Sequence, residues 1–303
     1  MKSNGCTDNR SKKTVLALGC FDGVHIGHSA LLKKARSLAD CKQIEMAVLC
    51  FSEPPKNFFS PGSVAVITPK EQKIDLIKKA GSDITVCIDF NESIADMPPE
   101  EFFSKVIVAK MNAEHVVCGF NYRFGKNGAG NTNTLAALCQ KEGISLDVIA
   151  PVKIAKKVVS SSEIRCALSR GDVSLAAQML GRNYSISSEV VNGQHLGREL
   201  GFPTINQILD TNTDKLMRRG VYATRVLIDG TLYKAVTNVG IRPTVGAELP
   251  CAETHVFDFC KDLYGKKICV EFISFIRSEE KFNSLQELTE RIALDVEYAK
   301  NAF

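Results

Sequence analysis

The sequence predicts an α/β protein in two parts: a parallel sheet with helices on both faces, then a small antiparallel β-barrel with a terminal helix. Three observations carry this. Apolar strand-like runs alternate with helical patterns up to about residue 180, as in a sheet built from strand–helix–strand units. Beyond that point the helical periods stop, and short alternating runs with turns between them begin. At 303 residues the chain is long enough for two separate cores. The boundary falls near residue 183, giving domains of residues 1–183 and 184–303.

In chain order, Val15–Leu18 is an apolar run that reads as a buried strand. Ser29–Ala39 follows as an amphipathic helix with Leu31, Leu32, Ala35 and Leu38 inward. Ile44–Phe51 is a second strand, broken by Pro54-Pro55. Thr68-Pro69 starts a helix that ends at Gly81, and Ile84–Ile88 is a strand. Pro98-Pro99-Glu100-Glu101 has the prolines and acids of a first helical turn. His115–Cys118 and Ile144–Ile149 are strands around a helix that includes Thr134–Cys139. A short helix runs from Val173 to Leu180. Candidate barrel strands are Tyr184–Val191, Tyr222–Ile228, Leu232–Asn238, Thr254–Phe259 and Ile268–Phe275, with Asp229-Gly230 as a hairpin signal. The last helix, about Leu285–Ala299, carries Leu288, Ile292 and Val296 on one face.

Composition narrows the function classes. The net charge of +4 is spread along the chain, with no basic tract of the kind nucleic-acid binders show. No apolar run approaches the ~20 residues that cross a bilayer. Met1–Lys13 is polar, with Lys2, Arg10, Lys12 and Lys13, and reads as a loose tail rather than a signal peptide. The eleven cysteines are scattered singly, without zinc-ligand spacing, and read as reduced thiols of a cytoplasmic protein. Small molecules are therefore the expected partners, with neither nucleic acid nor membrane, and the protein is expected to be a monomer or weak homo-oligomer.

The stretch Leu18-Gly19-Cys20-Phe21-Asp22-Gly23-Val24-His25-Ile26-Gly27-His28 lies between the first strand and the first helix. A strand-to-helix turn aims backbone N–H groups and the helix dipole at one point, which suits a phosphate. Gly23 and Gly27 let the backbone come close to a ligand. His25 and His28 can reach the same anion and donate to charge that grows in a transition state. A histidine near a helix start is also an ordinary cap, so spacing alone leaves both roles open.

Two later loops fall where they could meet that turn. Gly119-Phe120-Asn121-Tyr122-Arg123-Phe124-Gly125 follows a strand and reads equally as a turn with packed aromatics. Val159-Ser160-Ser161-Ser162-Glu163-Ile164-Arg165 opens a helix, as a simple cap or as hydroxyls and a guanidinium facing a phosphate chain. In the second half, Leu196-Gly197-Arg198-Glu199-Leu200-Gly201-Phe202-Pro203-Thr204-Ile205-Asn206 reads as a glycine-rich flap or an ordinary Gly-Pro turn. In an extended segment Thr204 and Asn206 share a face, where both oxygens could reach a magnesium ion on nucleotide phosphates.

Taken together, these motifs make the chain similar to the bacterial bifunctional riboflavin kinase/FAD synthetases. The first stretch resembles the family's Gly-x-Phe-Asp-Gly-x-His-x-Gly-His signature, and the two loops resemble its Gly-x-Asp/Asn-Phe-x-Phe-Gly and Ser-Ser-Thr-x-Ile-Arg motifs. The later segment resembles its Gly-Arg-x-Leu-Gly-x-Pro-Thr-Ala-Asn motif, followed by Gly220-Val221-Tyr222, Asn238–Thr244, Glu253-Thr254-His255 and Leu263–Lys266. The resemblance implies a Rossmann-like nucleotidyltransferase domain that joins AMP to FMN, giving FAD and pyrophosphate, and a barrel domain that phosphorylates riboflavin to FMN. It implies ATP as co-substrate of both and Mg2+ at both sites.

By the same resemblance, ATP phosphates are held by Gly19, Phe21, Asp22, Gly23, Gly27, Asn121, Ser161, Ser162 and Arg165 in the first domain. In the second they are held by Gly197, Arg198, Gly201 and Thr204. His25 and His28 act in adenylyl transfer, and Glu253 is the base that takes the riboflavin proton. Asn121, Phe124 and Arg277 contact flavin, and Thr204 and Asn206 hold the metal. The sequence departs from the family pattern at Cys20, Glu53-Pro54, Ser162, Ile205 and Arg219. Two rivals are a nucleotidyltransferase with another acceptor and a kinase or flavin-binding protein whose adenylyltransferase site is weakened by Cys20, Glu53 and Pro54.

Overall fold

The structure, a computed structural model, describes residues 12–193, 196–244 and 247–303. Most of the polar tail lies outside these residues. The chain divides into two compact units, Met1–Ser161 and Ser162–Phe303.

The first unit is a parallel sheet of β1 (Thr14–Leu18), β2 (Glu45–Phe51), β3 (Ile84–Ile88), β4 (Ala113–Gly119) and β5 (Ser145–Ile149), in the order β3-β2-β1-β4-β5. Side chains alternate across each strand, which sorts the apolar residues onto two faces. On one face Val15, Ala17, Met46, Val48 and Cys50 bury against Leu31, Leu32 and Ala35 of α1 (Ile26–Lys42) and Ile77 of α2 (Lys70–Lys79). On the other, Leu16, Leu18, Ala47, Leu49 and Val116 bury against Phe102 of α3 (Pro99–Phe102) and Leu135 of α4 (Thr132–Lys141). A π-helical stretch, Phe103–Lys110, extends α3 and adds Phe103 and Ile107 to that core. The strand order reverses between β1 and β4. In such sheets a ligand crevice opens at that point, outside the strands' carboxyl ends. The turn after β1 and the loop after β4 both start there.

The second unit begins with α5 (Ser161–Ser169) and α6 (Val173–Leu180). A closed antiparallel barrel follows, of β6 (Tyr184–Val191), β7 (Ile205–Ile208), β8 (Gly220–Ile228), β9 (Thr231–Thr244), β10 (Ala247–Val256) and β11 (Lys267–Arg277). Its order is β8-β9-β10-β7-β6-β11. Asp229 and Gly230 turn the β8–β9 hairpin with φ of 48° and 82°, as a two-residue primed turn requires. The final helix, α7 (Leu285–Asn301), packs Ala299 and Val296 on Val221 and Ala223.

Two strands run beyond the sequence-based expectation. β9 continues past Asn238 to Thr244, and β10 starts at Ala247 rather than Thr254, because the two pair throughout. β7 is short and closes the barrel between β10 and β6. The barrel interior is partly polar: Thr224, Thr237 and Thr254 are fully buried and join hydroxyl to hydroxyl at 2.7 and 2.9 Å.

α6 buries Val173, Ala176, Met179 and Leu180, and it packs on β6 and β11. A fragment of residues 184–303 lacks these contacts. It should be less stable than a fragment of residues 162–303 by on the order of 5 kcal/mol, measured by urea unfolding. Equal stability would show that α5 and α6 contribute nothing to the barrel.

Candidate active sites

The first site grows out of the carboxyl end of β1. Beyond Leu18 the backbone takes positive φ at Phe21 (55°), Gly23 (85°) and Val24 (38°). Phenylalanine and valine resist this conformation, so the surroundings must hold it. Phe21 and Val24 are buried, and the Val24 N–H donates to the Phe21 carbonyl at 3.1 Å. The buried Asp22 carboxylate accepts the Ile67 N–H at 3.0 Å and the Thr68 N–H at 3.2 Å, while its backbone carbonyl accepts the Ser161 hydroxyl at 2.8 Å. The turn is thus anchored to two distant loops.

His25 caps α1. Its backbone is extended, and its Nδ1 accepts the His28 N–H at 3.2 Å. With Nδ1 as acceptor, the neutral ring carries its proton on Nε2. The His25 and His28 rings stack with centroids 3.6 Å apart and 13° between planes. Gly27 makes room for this, since a Cβ there would press on His25 Cε1 and Nδ1 at 3.1 Å. His28 Nδ1 is buried without a hydrogen-bond partner. Burial, then the charges of His25 and Lys73, hold the His28 imidazole well below the ordinary histidine range. The result is a stacked pair at a helix N-terminus, with His28 held toward its neutral form.

The second site is built by strand register. Glu253 on β10 pairs with Asn206 on β7 and with Asn238 on β9, so three polar residues stand in a row across three strands. Asn206 is buried, and among the described residues its Oδ1 has no hydrogen-bond partner. Gly193 lies so close to the Asn206 amide that any side chain there would collide with it. His255 Nδ1 donates to the Pro203 carbonyl at 2.8 Å, which fixes the segment leading into Thr204. The loop before it closes on itself: Phe202 N–H donates to the Gly197 carbonyl at 2.7 Å, and Gly201 takes a φ of 84°.

Two cavities meet at Thr204. One of about 310 Å³ is walled mainly by apolar side chains, including Leu200, Phe202, Val221, Phe282, Leu288 and Ile292, with Glu253 and Asn238 on its polar side. The other, of about 510 Å³, carries Arg198, Lys261 and Tyr264. A mainly apolar chamber and a more polar one thus share a wall at Thr204; Glu253 lines the first together with Glu279 and Glu280, and Asp262 lines the second beside Arg198 and Lys261.

Comparison with known proteins accounts for both halves. The FAD synthetase family model matches residues 7–163, and the riboflavin kinase model matches residues 180–303. The chain belongs to the bifunctional riboflavin kinase/FMN adenylyltransferase family. A member from Bacillus subtilis is 37% identical over 297 residues, spanning 96% of this chain and 93% of that one. One from Haemophilus influenzae is 34% identical, spanning 95% and 94%. A crystal structure described as a macrolide-efflux protein from Streptococcus pneumoniae superposes with a TM-score of 0.87 at 31% identity, covering 96% and 95%. Among the described residues, no helix of this chain is long and apolar enough to cross a membrane.

Not all residues that the family resemblance marks play visibly similar parts. Gly19, Phe21, Asp22, Gly23, His25, Gly27, His28 and Ser161 come together at the first turn. Ser162 and Arg165 follow on α5, beyond the division between the units. Asn121 is exposed, with its Oδ1 3.5 Å from where a Gly119 Cβ would stand. Phe124 is buried, its ring 5.9 Å from Phe102 and 5.8 Å from Tyr122. Arg277 lines the apolar cavity, but its guanidinium is committed to the buried Asp295 carboxylate through Nε at 3.0 Å and Nη2 at 2.7 Å. Side chains of Arg242, Pro243 and Thr244 lie outside the described residues. Asp295, Phe282, Leu288 and Ile292 also line the second site and were not singled out for it. The spacing of Leu288 and Ile292 signals a buried helix face, and a cavity wall gives the same pattern as a core.

The low His28 value sets a pH dependence. A buried imidazole held neutral in the folded chain becomes an ordinary one, near about 6.5, on unfolding. Unfolding then takes up a proton below that pH, so stability falls as pH drops below about 6.5 and levels off only below the folded value. Melting temperature should drop between about pH 7 and pH 5.5, and less steeply in His28→Gln. Parallel slopes would remove His28 as the cause.

Proposed function

We propose that this chain is an enzyme that makes both flavin cofactors, one in each half. The barrel half transfers the terminal phosphoryl group of ATP to the 5′-hydroxyl of riboflavin. The first half transfers AMP from ATP to the FMN phosphate and releases pyrophosphate. The row Asn206–Glu253–Asn238, with Glu253 and Asn238 lining the mainly apolar cavity that meets the second one at Thr204, is the observation that carries the reading. Riboflavin has a flat apolar ring system and suits the apolar chamber, while the triphosphate suits Arg198 and Lys261. Their shared wall brings a hydroxyl and a phosphoryl group together, and Glu253 is the carboxylate positioned to accept the hydroxyl proton.

Thr204 and Asn206 would hold a magnesium ion there. The buried, unpartnered Asn206 Oδ1 fits a hard-cation ligand, because such an oxygen otherwise costs the protein its desolvation. A bound magnesium ion would neutralise charge on the phosphates. Gly197 and Gly201 give the flap the freedom to follow them.

In the first half the acceptor is already an anion, so no base is needed. The task is to hold two polyanions in line and donate hydrogen bonds to the α-phosphate. His25 Nε2 and the His28 ring are the donors, with Gly19, Gly23, Gly27 and Ser161 shaping the turn. Asp22 contributes by fixing that shape. In the first unit Asn121 is a further phosphate ligand and Phe124 acts on flavin through packing; in the second, Ser162 and Arg165 are phosphate ligands by the family resemblance, and Arg277 acts on flavin through Asp295. The functional boundary is placed near residue 183. The protein is placed in the cytoplasm, as a monomer or weak homo-oligomer that acts on small molecules and takes neither nucleic acid nor membrane as a partner.

The two chemistries should separate by mutation. His28→Ala should cut FAD formation from supplied FMN by a factor of ~100 or more and leave FMN formation near normal. Glu253→Gln should do the reverse, slowing riboflavin phosphorylation roughly 100-fold. Chromatography of riboflavin, FMN and FAD reads both. Equal loss of both activities in either variant would contradict the assignment.

A further inference from the structure

In the first unit, Cys50 on β2 and Cys87 on β3 are register partners on neighbouring parallel strands. Both point to the α1–α2 face of the sheet, where Cys50 is buried in the core and Cys87 is half-buried against it. Neighbouring strands run about 4.8 Å apart, inside the ~4.4–6.8 Å between α-carbons that a disulfide spans. The two thiols are near enough for each to perturb the other's titration.

A cation sits beside them. Lys73 of α2 is fully buried, and its Nζ donates to the Phe51 carbonyl at 2.7 Å and the Ser52 carbonyl at 3.0 Å, the residues next after Cys50. The hydrogen bond from Cys50 and the charges of Lys73 and Lys70 outweigh burial and bring the Cys87 thiol down to about 7. Cys50 is pushed up by the same hydrogen bond and by burial. Cys87 is thus the thiol suited to attack first, and Cys50, its register partner, is the thiol placed to resolve. Neither residue has a part in the proposed transfer reactions.

We propose that Cys50 and Cys87 form a hydroperoxide-sensitive site that closes to a cross-strand disulfide and reopens with a thiol reductant. The Cys87 thiolate attacks the peroxide. An S–O bond forms, the O–O bond breaks, and the leaving hydroxide takes a proton to give water. Cys50 then attacks the sulfenic sulfur. The S–S bond forms, the S–O bond breaks, and a second water leaves with the Cys50 proton. The two thiols lose two electrons, and hydrogen peroxide is reduced to two waters. Two equivalents of a small thiol return both electrons through a mixed disulfide.

The test treats the whole protein with limiting hydrogen peroxide at pH 7, alkylates the remaining thiols and maps the peptides by mass spectrometry. The exposed Cys41 and Cys260 serve as internal references. Cys87 should react about tenfold faster than either, and its peptide should be recovered linked to that of Cys50, with the link lost on reduction. In Cys50→Ser, with folding verified by circular dichroism, Cys87 should stop at the sulfenic acid and be captured by dimedone. Oxidation of Cys41 or Cys260 ahead of Cys87 would overturn the proposal, as would a link from Cys87 or Cys50 to another cysteine.

Discussion

The geometry of the first unit depends on one buried carboxylate. Asp22 sits in a turn whose neighbours Phe21, Gly23 and Val24 all adopt positive φ. Such a turn is unfavourable in isolation. Charged acceptors make the stronger hydrogen bonds, and a buried one left unmatched is costly. The Ile67 and Thr68 N–H groups satisfy it, and in doing so they bring the loop before α2 onto the turn. The stacking of His25 on His28 is set downstream of that anchor, with Gly27 clearing the space. The histidine pair is therefore held in place from a distance, by the partners of Asp22 and by the space that Gly27 leaves.

The barrel solves its positioning problem differently. There a strand ladder does what Asp22 does in the first unit. Because register is rigid where one face is buried, pairing Glu253 with both Asn206 and Asn238 fixes three functional groups at once. The chain of buried hydroxyls from Thr224 through Thr237 to Thr254 locks three strands around the same place. His255 ties the incoming loop to the ladder by its bond to Pro203. Outside the ladder lies the glycine-bearing segment from Gly197 to Gly201, which under the proposed function is the part that follows a polyphosphate.

Much of this was legible in the sequence, and the exceptions have physical reasons. The continuous apolar runs in Val15–Leu18 and Ile44–Phe51 report strands buried on both faces directly. The His25–Gly27–His28 spacing reports a turn, but not that His25 accepts rather than donates toward His28, since a tautomer is set by its partner. Asp22 reads as a phosphate neighbour because its carboxylate's partners, Ile67 and Thr68, are distant in sequence. β10 escapes over Ala247–Glu253 because Pro250 breaks the strand signal, and a proline in a strand is tolerated only where its missing N–H is not needed. Asp295 reads as a solvent-facing helix residue, while the guanidinium of Arg277 draws it inside.

Both halves converge on one claim, that ATP is cut at two different bonds by two different sets of residues. The direct measurement gives the whole protein riboflavin, magnesium and ATP labelled at either the γ- or the α-phosphate, and resolves the flavins by chromatography. The account predicts γ-label in the FMN phosphate, and it predicts that α-label enters flavin only with FAD. FMN without γ-label, FAD without α-label, or α-label released as free AMP with no FAD formed, would contradict it.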